Sequence, residues 1–91
     1  HFNIGGTHRV GELEGVYKKD IEKVFGPPTW DQGSADDKVM FEWSIKFPDG
    51  TQATIYDYKQ YNGVPDEINY WSIGGRKPIA VYYVKKAMGL I

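Results

Sequence analysis

One tripeptide occurs twice in these 91 residues. Ile4-Gly5-Gly6 leads into Thr7-His8-Arg9, and Ile73-Gly74-Gly75 leads into Arg76-Lys77. Successive backbone N–H groups in a glycine-rich turn form a concavity that suits an anion, and the second copy also precedes an expected helix, whose N-terminus favours negative charge. Phosphate or carboxylate would fit these turns, flanked by the polar and basic side chains that follow each copy. The competing reading is that Gly-Gly only turns the chain between sheet and helix, in a sequence with 11 glycines. Neither copy completes a phosphate-loop or dinucleotide fingerprint.

A second group is aromatic. Tyr56, Tyr58 and Tyr61 cluster near the end of an expected hairpin, and Tyr70 and Trp71 lie on the strand after it. Alternation puts Tyr56 and Tyr58 on one sheet face, opposite Ala53 and Ile55. Rings on a sheet beside a cationic or glycine-rich rim can stack a nucleobase, a contact worth about 1–3 kcal/mol per base. The plainer role for the same rings is packing. Asp57 stands between Tyr56 and Tyr58, where its carboxylate could accept hydrogen bonds from a sugar hydroxyl or a base amine, or pair with a surface lysine.

Catalytic constellations are weak. Apart from His1, His8 is the only histidine, and with no cysteine present neither a Ser-His-Asp nor a Cys-His site is expected. Asp36-Asp37 and Asp66-Glu67 fall in expected loops and read as solvated charge, and no ligand spacing suggests a metal. No enzyme activity, metal or cofactor is expected. The 11 basic and 12 acidic residues leave a net charge of −1. That balance provides neither the basic face of a duplex-DNA binder nor the acidic surface of a DNA mimic. Lack of cysteine also removes any disulfide framework, so the cytosol is the simplest compartment. No apolar run approaches the ~20 residues of a membrane span and no leader pattern opens the chain. His1, with no initiator methionine, is expected to be the remnant of an expression tag.

These groups need elements to hold them. The length suits a single domain over residues 1–91 with one modest core, to which aromatic residues, 15% of the chain, contribute heavily. A short strand or two is expected between Phe2 and Glu14, with Val10, Leu13 and Val16 inward. Tyr17, Ile21, Val24 and Phe25 form a stripe at helical spacing, stopped by Gly26 and Pro27-Pro28. Thr29 to Asp37 has loop composition. From Lys38 to Phe47, Val39, Phe41, Trp43, Ile45 and Phe47 alternate with polar residues as in a half-buried strand. Pro48-Asp49-Gly50 turns the chain into a return strand, Thr51 to Tyr58. A loop from Tyr61 to Glu67 precedes a strand over Ile68 to Ile73, which Gly74-Gly75 ends. Pro78 then opens a helix carrying Ala80, Val84, Ala87 and Met88, stopped by Gly89. The expected architecture is α+β: a small antiparallel sheet, with a short helix after the N-terminal strands and a C-terminal helix packed on one face.

Several blocks in order, Phe2-Asn3-Ile4-Gly5-Gly6-Thr7, Phe25-Gly26-Pro27, Glu42-Trp43-Ser44-Ile45-Lys46-Phe47-Pro48-Asp49-Gly50-Thr51, Ala53-Thr54-Ile55-Tyr56-Asp57-Tyr58-Lys59 and Trp71-Ser72-Ile73-Gly74-Gly75, resemble a family of small accessory proteins of tailed bacteriophages. The resemblance spans nearly the whole chain and implies a setting in the cytoplasm of an infected bacterial cell. Two functions are expected of such a protein. One is a sponge that sequesters a nucleotide-type immune signal without catalysis, often with sites completed across a homo-oligomer. In it the backbones of Gly5, Gly6, Gly74 and Gly75, with Thr7, His8, Arg9, Arg76 and Lys77, hold phosphates, while Tyr56, Tyr58 or Trp71 packs a base and Asp57 orients it. The other is an inhibitor that docks on a host defence or housekeeping protein through an exposed aromatic patch.

Overall fold

The structure, a computed structural model, describes residues 8–29, 41–57 and 67–91. Its elements follow the order β1 (His8–Glu14), α1 (Lys18–Phe25), β2 (Glu42–Lys46), β3 (Gln52–Tyr56), β4 (Tyr70–Gly75) and α2 (Ile79–Ala87). The class is α+β, as expected. Gly5, Gly6, Thr7, Tyr58 and Tyr61 lie outside the described residues, as do the expected strand positions before His8 and at Val39.

The four strands form one antiparallel sheet in the order β1-β4-β3-β2. The alternating β2 segment pairs with β3 from Glu42↔Tyr56 to Lys46↔Gln52. Their connection is short because Phe47 N–H donates to the Thr51 carbonyl (2.8 Å) and Gly50 N–H to the Phe47 carbonyl (2.9 Å). Gly50 takes φ +89°, the left-handed conformation that a three-residue hairpin loop needs at its last position. β3 then pairs with β4 and β4 with β1, so two different strands flank β4.

One sheet face carries Leu13, Trp43, Ala53, Ile55, Trp71 and Ile73, all essentially inaccessible to solvent. Ile21 of α1 and Ala80 and Val84 of α2 complete the same core. The two buried tryptophans meet edge to face, with centroids 5.3 Å apart at 80°. Their indole N–H groups tie separate segments together: Trp43 donates to the Gly26 carbonyl (2.9 Å) and Trp71 to the Val16 carbonyl (2.7 Å). Buried indoles need such partners, since an unmet buried donor costs about 1–3 kcal/mol.

Helix α1 begins where the Asp20 carboxylate accepts the Tyr17 N–H (2.9 Å), and it ends at Gly26, whose φ is +83°. The expected apolar stripe is only partly realised. Ile21 is buried and Phe25 packs against the core, but Tyr17 and Val24 are 39% and 42% exposed. Tyr17 sits at the cap, before the helical turns begin, so its side chain leaves the stripe. Helix α2 lies across β1, β4 and β3 and ends at Gly89, φ +76°.

The expectation that Gly74-Gly75 ends its strand is corrected. Both glycines belong to β4: Gly74 pairs with Arg9 and Thr54, and Gly75 with His8 and Ala53. A Cβ on Gly75 would lie 2.9 Å from the Ala80 Cβ, and one on Gly74 would lie 2.5 Å from the Thr54 Oγ1. The pair therefore allows close packing on both sheet faces, admitting α2 on one and the Thr54 hydroxyl on the other. Gly11 does the same for Val81, whose Cγ2 would be 2.7 Å from an added Cβ.

Candidate functional site

Antiparallel pairing of β3 with β4 puts the start of β3 beside the end of β4. The β2–β3 turn therefore meets the β4–α2 junction at one end of the sheet. Between them is a cleft of about 450 Å³ lined by Lys46, Asp49, Gly50, Thr51, Gln52, Arg76 and Lys77. A cleft of this size falls within the range of small-ligand sites, roughly 300–1,000 Å³.

The charge in this cleft is one-sided. Lys46 comes from the end of β2, and Arg76 and Lys77 from the junction; all three are exposed. Asp49 is the one acid among the lining residues, and both its oxygens are engaged. Oδ1 accepts the Thr51 N–H (2.9 Å) and Oδ2 accepts the Tyr83 hydroxyl (2.6 Å). The bond from Tyr83, followed by those from Thr51, holds the Asp49 carboxyl below its ordinary range, while the same bond raises the Tyr83 phenol. The floor thus presents three cations beside an ionised carboxylate already turned toward α2. Helix α2 starts two residues after Lys77 with no acid in its first turn, so its dipole adds some positive potential at the same end, although the Ala80 and Val81 amides are already satisfied by the Lys77 and Pro78 carbonyls.

The Tyr83 hydroxyl also joins the cleft to a row of rings. Phe47 and Tyr83 have centroids 5.2 Å apart, and Tyr83 and Tyr82 6.0 Å. Tyr82 is 44% exposed, with the Lys86 ammonium 5.6 Å from its ring centroid.

The residues expected from sequence to form one site are divided among three places. Arg76 and Lys77 line the cleft. Arg9, Tyr56 and Gly74 sit on the sheet face opposite the core, where the Arg9 guanidinium donates to the Glu12 carboxylate and to the Tyr70 hydroxyl. The bond to Arg9, then that to Tyr70, lowers the Glu12 carboxyl, and Glu12 raises Arg9 in return. His8, at the start of β1, is exposed and pairs with Gly75.

Trp71 and Asp57 lie on the buried side. Trp71 is fully enclosed, its ring against Trp43, so it offers no surface on which a base could stack. Asp57 is likewise inaccessible, and its Oδ1 accepts the Phe41 N–H at 2.7 Å. Its side chain takes that N–H just beyond the last β2–β3 pair, Glu42↔Tyr56. The glycine nest is corrected too, because Gly74 and Gly75 use their backbones in ladders on both sides.

Lys46, Thr51, Gln52 and the Phe47–Tyr83–Tyr82 row were missed from sequence, although the turn at Pro48-Asp49-Gly50 was legible. The signal was topological: once β3 and β4 are antiparallel neighbours, that turn must face Arg76-Lys77. Among the described residues no group of three or more His, Asp or Glu could hold a metal, and no helix is long and apolar enough to cross a membrane. Comparison with protein-family models, with curated proteins and with solved structures returned no match.

Proposed function

We propose that this chain is a phage anti-defence protein that binds a nucleotide-type immune signal in the cleft and sequesters it without catalysis. The observation that carries the reading is the convergence of Lys46, Arg76 and Lys77 on a cleft of ligand size whose lone lining acid is already engaged. Such a cradle recognises phosphate through charge-assisted hydrogen bonds, with Arg76 able to bind in a two-pronged fashion. Gln52 lines the same wall and brings a neutral amide. The setting in an infected bacterial cell comes from the resemblance to phage accessory proteins, and a phosphorylated signal is the ligand this charge pattern suits in that setting.

The test is capture and release. The protein is incubated with linear and cyclic nucleotides and adenosine diphosphate ribose derivatives, desalted, and heat-denatured, and the supernatant is read by mass spectrometry. The account expects one nucleotide to be released intact, and at least ten-fold less of it from Arg76→Ala, since a charge-assisted hydrogen bond contributes roughly 1.5–3 kcal/mol. Release of a cleaved product would instead establish an enzyme, and release of nothing would remove the sponge.

A second reading, docking on a host protein, is favoured by one observation. Ile79 and Tyr82 are both 44% exposed one helical turn apart on α2. For this reading, a pull-down from bacterial lysate would return one stoichiometric partner that Tyr82→Ala loses.

A further inference from the structure

The cleft and the ring row share one residue pair, and together they narrow the ligand class. Asp49 lines the cleft, and its Oδ2 accepts the hydroxyl of Tyr83, whose ring stands between Phe47 and Tyr82. The lip of the cationic cleft is therefore also the middle of an aromatic surface. At a rise of about 1.5 Å per residue, the three helical steps from Ile79, where α2 begins after the Arg76-Lys77-Pro78 junction, to Tyr82 cover roughly 4.5 Å along the axis. That span suits a ligand with phosphates at one end and a flat ring at the other. Cations on both walls, Lys46 from β2 and Arg76-Lys77 from the junction, suit more than one phosphate.

We infer that the cleft takes a nucleotide with at least two phosphates, the phosphates lying among Lys46, Arg76 and Lys77 and the base against the exposed Tyr82 ring. This rests on the proposed reading of the cleft as a phosphate site. Tyr82 is the specificity-determining residue. Tyr83 is a positioning residue: its ring packs on Phe47 and its hydroxyl keeps the Asp49 carboxylate turned away from the incoming phosphates. Lys86, on Tyr82, leaves the outer end of the row electropositive. Tyr56 and Trp71 take no part, since one lies on the opposite sheet face and the other within the core.

Isothermal titration of the full chain with ADP, GDP, UDP and pyrophosphate tests this. The tightest nucleoside diphosphate should exceed pyrophosphate by about 5- to 160-fold, the range that stacking of one base supplies. Tyr82→Ala should abolish that advantage while leaving pyrophosphate affinity within two-fold, and Tyr82→Phe should keep it. Tyr82 is exposed, so the variants retain the core, and far-UV circular dichroism checks this. Equal affinities for pyrophosphate and every nucleotide, unaltered by Tyr82→Ala, would overturn the inference but leave the phosphate cleft standing. Absence of binding by all four probes would overturn both.

Discussion

A side chain at Gly75 would collide with Ala80, and one at Gly74 with the Thr54 hydroxyl, so adding a single methyl group here tests the packing account directly. Gly75→Ala is expected to destabilise the protein by about 1–3 kcal/mol in urea titration, the usual cost of overpacking a tight contact. Its effect should be non-additive with Ala80→Gly, because the two positions touch. Trp71→Phe should cost about 1–3 kcal/mol by leaving the Val16 carbonyl without its indole donor, and should leave ligand affinity unchanged. At this scale the sequence was only partly legible. Arg76 and Lys77 stand out as ligand candidates because they follow Gly74-Gly75, which reads in the sequence as an anion-binding turn. Gly74-Gly75, Trp71 and Asp57 read both as packing and as ligand groups, because glycine, tryptophan and aspartate serve either role. Only the tertiary partner, Ala80 on α2 for Gly75, Trp43 for Trp71 and Phe41 for Asp57, decides between those roles.

The hairpin and α2 are joined through Asp49 and Tyr83, and that link is sensitive to pH. The Asp49 carboxyl is lowered in the folded state, so its contribution is intact above the ordinary value of 3.8 and is lost as pH falls through the lowered one. Tyr83→Phe should therefore flatten the acid limb of the stability–pH curve below about pH 4, read by tryptophan fluorescence. Glu42 on β2 acts in the opposite sense. Burial raises its carboxyl, which penalises the ionised form, so Glu42→Gln should stabilise the protein at neutral pH and do little under acid. The elements themselves were largely legible. Alternation from Phe41 to Phe47, the Pro48-Asp49-Gly50 turn and the Pro78–Gly89 bounds of α2 each carry a local physical signal. Strand order did not, because the pairing of β1 with β4 joins residues some sixty positions apart, and the close approach of α2 at Gly11 and Gly75 has no local signal either.

Across the whole molecule a net charge of −1 conceals an uneven distribution, with Lys46, Arg76 and Lys77 gathered at one end of the sheet. Ligand binding at so exposed a cluster should weaken steadily as salt rises, since charges there are screened within a Debye length of about 8 Å at physiological ionic strength. The α+β class was legible from the order of elements, whereas the cleft was not, because it exists only where two distant turns meet. The most direct test of the central claim is a ¹⁵N-resolved titration of the assigned protein with the nucleotide it captures most tightly. The account predicts amide shifts concentrated at Lys46, Asp49 to Gln52 and Arg76 to Ile79, extending to Tyr82. Shifts gathered instead at Arg9, Tyr56, Tyr70 and Gly74, on the sheet face opposite the core, would contradict it.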